Sequence, residues 1–121
     1  MRRSLDEERL FRKLVRLMEE KKLYLDKDFS REDLALEATT NRTYLSRALN
    51  SRGLNFSRFI ASFRVQHAIG LMWEPEYAET PLADIAEMSG FTSADALNRC
   101  MKKSAGLTSC ALRKRIRDTC N

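Results

Sequence analysis

The chain has 121 residues, enough for one small unit or two very small ones, and its 43% hydrophobic content with four glycines and two prolines excludes a linker or low-complexity segment. No apolar run approaches the roughly 18 residues that cross a bilayer, and the start MRRSLDEERL has no apolar stretch behind it, so neither a membrane span nor a secretion signal is expected. A single His and three scattered cysteines (Cys100, Cys110, Cys120) offer no zinc-ligand spacing, and the net charge of +5 is unevenly spread.

Apolar residues at Leu10, Phe11, Leu14, Leu17 and Met18 predict an amphipathic first helix. Ser4 and Glu7 form a candidate capping box ahead of it, and Leu23, Tyr24 and Leu25 close it. Through residue 37 the charges balance. A short second helix follows Ser30, with Asp33 placed to complete another capping box. Thr39 and Thr40 break it, and Asn41 caps a third helix, giving helix, tight turn, helix.

That third helix has two faces. Leu45, Ala48 and Leu49 form a seam for burial. Thr43, Ser46, Arg47 and Asn50 form a stripe that is hydrogen-bonding and cationic, with none of the Glu and Lys that an ordinary solvated face mixes. The stripe lies within residues 38–73, which carry Arg42, Arg47, Arg52, Arg58 and Arg64 and no acid. Such clustering is the electrostatic footprint of a polyanion site.

NFSRFIASFRVQHAIGLMW follows, capped by Asn55. Phe56, Phe59, Ile60, Phe63, Ala68, Leu71 and Met72 make one broad apolar side of a helix about 25 Å long. Trp73 is expected to plug the junction at its end, and His67 to be a surface or packed histidine. The acidic stretch EPEYAETP follows.

After Pro81 the helix-turn-helix pattern returns. Asp84-Ile85-Ala86 repeats Asp33-Leu34-Ala35, Gly90 takes the place of Thr39, and Arg99 that of Arg47 after one extra residue in the turn. Leu97, Cys100 and Met101 repeat the buried seam, so Cys100 reads as a packing residue. Asp95, Asn98, Arg99 and Lys102 repeat the polar stripe. A last helix over Ser109 to Arg117 carries Arg113, Lys114, Arg115 and Arg117.

Two such units suit double-stranded DNA, whose major groove admits one helix. Arg47 can donate a bidentate pair to guanine, and Ser46 and Thr43 can bond base edges. Successive major grooves on one DNA face lie about 34 Å apart, so a stiff spacer fixes a non-palindromic half-site. Phosphate contacts are expected from helix N-termini at Ser30, Asn41, Thr80, Thr92 and Ser93, and from Arg42, Arg52, Arg58, Lys102, Lys103 and Arg113.

The runs EDLALEATTNRTYLSRALN, GLNFSRFIASFRVQHAIGLM and PLADIAEMSGFTSADALNRCMKKSAGLT resemble the AraC/XylS family of bacterial transcription activators, over about Leu5 to Arg117. The resemblance implies an all-α fold of seven helices, with helix-turn-helix subdomains at 5–54 and 75–121 joined by a linker helix at 55–74. It implies base-reading positions at Thr43, Ser46 and Arg47, and at Asp95, Ala96 and Arg99. It also implies a nucleoid-associated regulator that acts with RNA polymerase and takes no cofactor, either a small stand-alone regulator or the C-terminal piece of a longer chain with a sensor or dimerisation domain; with no span or signal, the expected compartment is the cytoplasm. Two departures stand out. An aromatic pair usual in the family is Ala96-Leu97 here, and its G-x-x-P is Gly106-Leu107-Thr108-Ser109. Asp95 either accepts from cytosine N4 or pairs with Arg99. The rival of another class is a helical interaction module whose Arg-rich faces meet an acidic partner protein. With no paired His, no nucleophile–base constellation and no phosphate loop, an enzyme is not expected.

Overall fold

The computed structural model describes residues 2–120, with side chains from 6 to 119. Among these it is all helical. The seven helices are α1 (Arg2–Lys21), α2 (Arg31–Glu37), α3 (Arg42–Asn50), α4 (Phe56–Trp73), α5 (Leu82–Met88), α6 (Ala94–Ala105) and α7 (Ser109–Cys120). Short 3-10 turns follow α1 and α4, at Leu23–Leu25 and Pro75–Tyr77. α1 starts at Arg2, ahead of the expected Ser4 cap; the side chains of Ser4 and Cys120 lie outside the described residues. None of the described helices is long and apolar enough to cross a membrane.

The chain forms two compact units, Met1–Ile60 and Ala61–Asn121. In the first, α1 and α2 pack on α3. Its buried residues are Leu14 and Met18 of α1, Leu34 and Ala35 of α2, and Leu45, Ala48 and Leu49 of α3, with Tyr24, Phe29, Ala38, Phe59 and Ile60. Phe11 meets Phe59 edge-on at 5.8 Å between ring centroids, a favoured aromatic geometry. Each buried Leu contributes about 2 kcal/mol of transfer free energy.

α2 begins where the chemistry of Ser30 dictates. The Asp33 N–H donates to Ser30 Oγ at 3.1 Å, and the Ser30 N–H donates to Asp33 Oδ2 at 3.0 Å. Two otherwise unpaired donors of the first turn are thereby satisfied. Asn41 does the same for α3, accepting from the Tyr44 N–H at 3.0 Å, and Asn55 for α4, accepting from the Arg58 N–H at 2.9 Å.

In the second unit α5 and α7 pack on α6. Its core joins Val65, Ala68 and Met72 of α4 to Ile85, Ala86, Phe91, Leu97, Met101 and Leu112. Trp73 stays outside it, 47% exposed. Met72 takes the core-facing position, and one residue further turns the indole about 100° away. His67 Nδ1 lies 3.3 Å from the hydroxyl of the fully buried Ser89, so it is a packed histidine. Cys100, at the seam position matching Ala48, is half-buried.

The turns of the two units share two hydrogen bonds. Thr39 N–H donates to Leu36 O and Thr40 N–H to Ala35 O; Gly90 N–H donates to Glu87 O and Phe91 N–H to Ala86 O. Thr39 and Gly90 are both left-handed, with φ of 56° and 89°. The inserted residue lies after this turn and before Ser93, which accepts from the Ala96 N–H at 3.1 Å as Asn41 does from Tyr44. The start of α5 differs from that of α2. Its cap is Pro81, with no side-chain hydrogen bond, and Thr80 is not the cap expected there.

Candidate nucleic-acid interface

In the first unit, the burial of Leu45, Ala48 and Leu49 turns the opposite side of α3 outward. Thr43, Ser46, Arg47 and Asn50 line one shallow open groove of about 560 Å³, together with Arg42 and Arg31. Thr43, Arg47 and Asn50 are exposed and Ser46 is half-buried. The lining holds three guanidinium groups and no carboxylate. It therefore favours an anion along its length, and arginine forks suit phosphate and the guanine edge.

Arg31 was not anticipated. It follows the Ser30 cap in sequence and reaches the groove because α2 packs on α3. Tyr44 was also missed. It is 55% exposed, and the Arg47 guanidinium carbon lies 5.8 Å from its ring centroid, near the outer limit of a cation–π contact. A second cavity, of about 400 Å³, opens on the other side of Arg47, between α1 and the Thr39–Thr40 turn, with Asp6, Glu7, Leu10, Lys13 and Tyr44 in its wall.

The remaining cations of this unit divide by what they touch. Arg42 lies 3.7 Å from Glu32 in a solvent-exposed pair, which is weak and easily exchanged. Arg52 is stacked over Phe11, 4.6 Å from the ring centroid. Arg58 is exposed in the first turn of α4, and its side chain makes no hydrogen bond or ion pair among the described residues.

In the second unit, Asp95 and Arg99 are exposed on α6, and no ion pair joins them among the described residues. Ala96 is half-buried and packs against the core. Lys102 and Lys103 are exposed in the last turn of α6, where the helix dipole favours cations. Thr92 and Ser93 are exposed at its start. Arg113 is turned inward: its Nη2 donates to the Thr80 carbonyl at 2.5 Å and to the Tyr77 carbonyl at 3.3 Å. That guanidinium fastens the chain ahead of α5 to α7, so its expected phosphate role competes with a structural one.

Asn98, at the position matching Ser46, is likewise committed. Its Oδ1 accepts from the Ser109 N–H at 3.0 Å and from the Ser109 hydroxyl at 2.7 Å. Ser109 is fully buried at the start of α7. The residue found where the resembling family carries Pro thus supplies two donors that Pro lacks.

Comparison with known proteins adds to this geometry. A family described as a helix-turn-helix domain matches residues 34–115. The TCP pilus virulence regulatory protein of Vibrio cholerae serotype O1 is 39% identical over 61 residues, in both the classical Ogawa and the El Tor Inaba strains. That alignment covers 50% of this chain and 21% of the relative, so the chain spans about a fifth of the length of the curated relatives it matches. No solved structure matches significantly.

Proposed function

The chain belongs to the helix-turn-helix domain family, of the AraC/XylS type, and on that premise we propose that it is a sequence-specific, double-stranded DNA-binding regulator of transcription. One observation carries the proposal: the acid-free groove of α3, in which Arg31, Arg42, Thr43, Ser46, Arg47 and Asn50 converge. A major groove presents acceptors and methyl groups between two phosphate rows, and this lining offers donors, a Thr methyl and positive charge. The relatives' printed name, a virulence regulatory protein, fits the same reading.

In this proposal α3 and α6 enter successive major grooves of one site, and α4 sets their spacing. Thr43, Ser46 and Arg47 read bases for the first unit; Asp95, Ala96 and Arg99 stand at the matching positions of the second. Arg42, Arg52, Arg58, Lys102, Lys103 and the helix starts at Ser30, Asn41, Thr92 and Ser93 bind phosphates. Arg113 joins that set only by releasing the carbonyls it now holds. The protein acts as an activator in the bacterial cytoplasm, with RNA polymerase and a sensor or dimerisation domain as partners.

Selection of bound sequences from a random DNA pool at fixed salt tests the proposal. Enrichment of a defined, non-palindromic sequence is the expected result. Recovery of an unenriched pool would overturn it.

A further inference from the structure

Asn98 is a primary amide, and a free primary amide is ambivalent: it can turn either its carbonyl oxygen or its NH2 group toward a neighbour. The structure removes that choice. A backbone N–H can only donate, so the Asn98 atom 3.0 Å from the Ser109 nitrogen is the oxygen. The Ser109 hydroxyl, 2.7 Å from the same oxygen, adds a second bond. The hydroxyl has one proton, and the amide oxygen is a better acceptor than the Met101 sulfur at 3.2 Å. Both bonds hold the amide in one orientation.

The other end of the amide, Nδ2, has no partner among the described residues, yet no unsatisfied side-chain nitrogen or oxygen is buried. Nδ2 therefore reaches solvent, with two N–H groups to give. Asn98 shares its side of α6 with Asp95, at i−3, and Lys102, at i+4, both exposed.

We propose that Asn98, held in one orientation by Ser109, is an additional DNA-contacting residue that presents only donors, and so selects an acceptor atom on the duplex. The acceptor is a phosphate oxygen or a base-edge oxygen or nitrogen. The inference rests on the reading of α6 as a groove helix. Ser109 acts as a positioning residue through Asn98 and does not itself touch DNA.

Three variants of the 121-residue chain test it in the same DNA selection, with circular dichroism as the check on folding. Asn98→Asp keeps an acceptor for Ser109 and replaces the two donors with an acceptor. Ser109→Pro removes both donors that hold the amide, at the first position of α7, where a proline fits the helix start. Adding Asn98→Ala to Ser109→Pro deletes the amide without introducing charge or orphaning a donor.

Asn98→Asp is expected to weaken binding about tenfold or more while remaining helical. Loss confined to sequences carrying one particular base identifies a base-edge acceptor, and equal loss on every duplex identifies a phosphate. Ser109→Pro is expected to shift binding in the same direction by less, and the double variant to match Asn98→Asp in direction. Wild-type behaviour of either Ser109→Pro or the double variant would overturn the inference. If Arg47→Ala loses selectivity while these variants bind every duplex as tightly as the unmodified chain does, the proposed function stands and this inference falls. If the unmodified chain selects no sequence, both fall.

Discussion

Thr39 and Gly90 occupy the same left-handed position in two copies of one turn, with φ of 56° and 89° and equivalent hydrogen bonds from their own N–H and that of the next residue. Only one of the two is suited to it. A β-branched residue in this region is strained by about 1–2 kcal/mol, and glycine is not. Thr39→Gly should therefore stabilise the chain by up to about 1 kcal/mol, the relief being partly offset by the greater freedom of glycine when unfolded. Gly90→Ala should destabilise it by about 1–2 kcal/mol. Opposite shifts in thermal midpoint, each of a few degrees, are the expected readout. Shifts of the same sign would show that the shared geometry does not control stability.

Arg47 is exposed, so Arg47→Ala should leave the thermal midpoint nearly unchanged, within about 0.5 kcal/mol. Its effect should fall on recognition. Discrimination against the wrong base is expected to drop by about 1–3 kcal/mol at one position of the selected sequence. The selection experiment reads this directly, and unchanged base preference would remove Arg47 from the reading set.

Arg58 tests the phosphate set separately. Arg58→Ala should weaken binding to every duplex alike, and the slope of log K against log salt should become shallower by about 0.9. A titration across several salt concentrations measures both. A change that depends on base sequence would place Arg58 on a base edge instead.

The capping box of α2 gives a stability prediction free of any DNA assumption. Ser30→Ala removes the acceptor for the Asp33 N–H and should cost about 1 kcal/mol. Asp33→Asn keeps an oxygen that can accept from the Ser30 N–H and should cost less. Denaturant titration of the two variants ranks them, and the reverse order would show that the charge of Asp33 matters more than the bonds.

Tyr24 supplies a pH dependence. Burial raises its phenol above the ordinary value of 10.0, because the charged form is penalised away from water. A folded-state value raised above the unfolded one means that the neutral phenol's contribution is fully present below pH 10 and is lost as pH rises past it. Tyr24→Phe should therefore narrow the loss of stability between neutral and strongly alkaline pH. Parallel pH profiles for the two proteins would count against the buried phenol as a cause.

Local chemistry explains which features could be read from sequence. Ser30 and Asp33, Asn41 and Tyr44, and Ser93 and Ala96 are each three residues apart, so residue type and spacing determine the bond. The seam of Leu45, Ala48 and Leu49 follows from helical period alone. The misses depend on chain segments meeting in space. Arg31 joins the groove only because α2 packs on α3. Asn98 and Ser109 are 11 residues apart, and Arg113 reaches carbonyls 33 and 36 residues away, so no local pattern announces them. For Trp73, apolar character suggested burial, but helix phase placed Met72 inward instead.

The position of the inserted residue has a practical consequence. It precedes Ser93, and both caps hold the N–H of the third residue onward, so numbering from the cap is the same in α3 and α6. The exposed side chains of α3 can be transplanted onto α6 as a cassette, Thr43 to position 95 and Arg47 to position 99, with no frame offset. A chimaera of that kind would carry one set of exposed side chains in duplicate, at equal distances from the two caps.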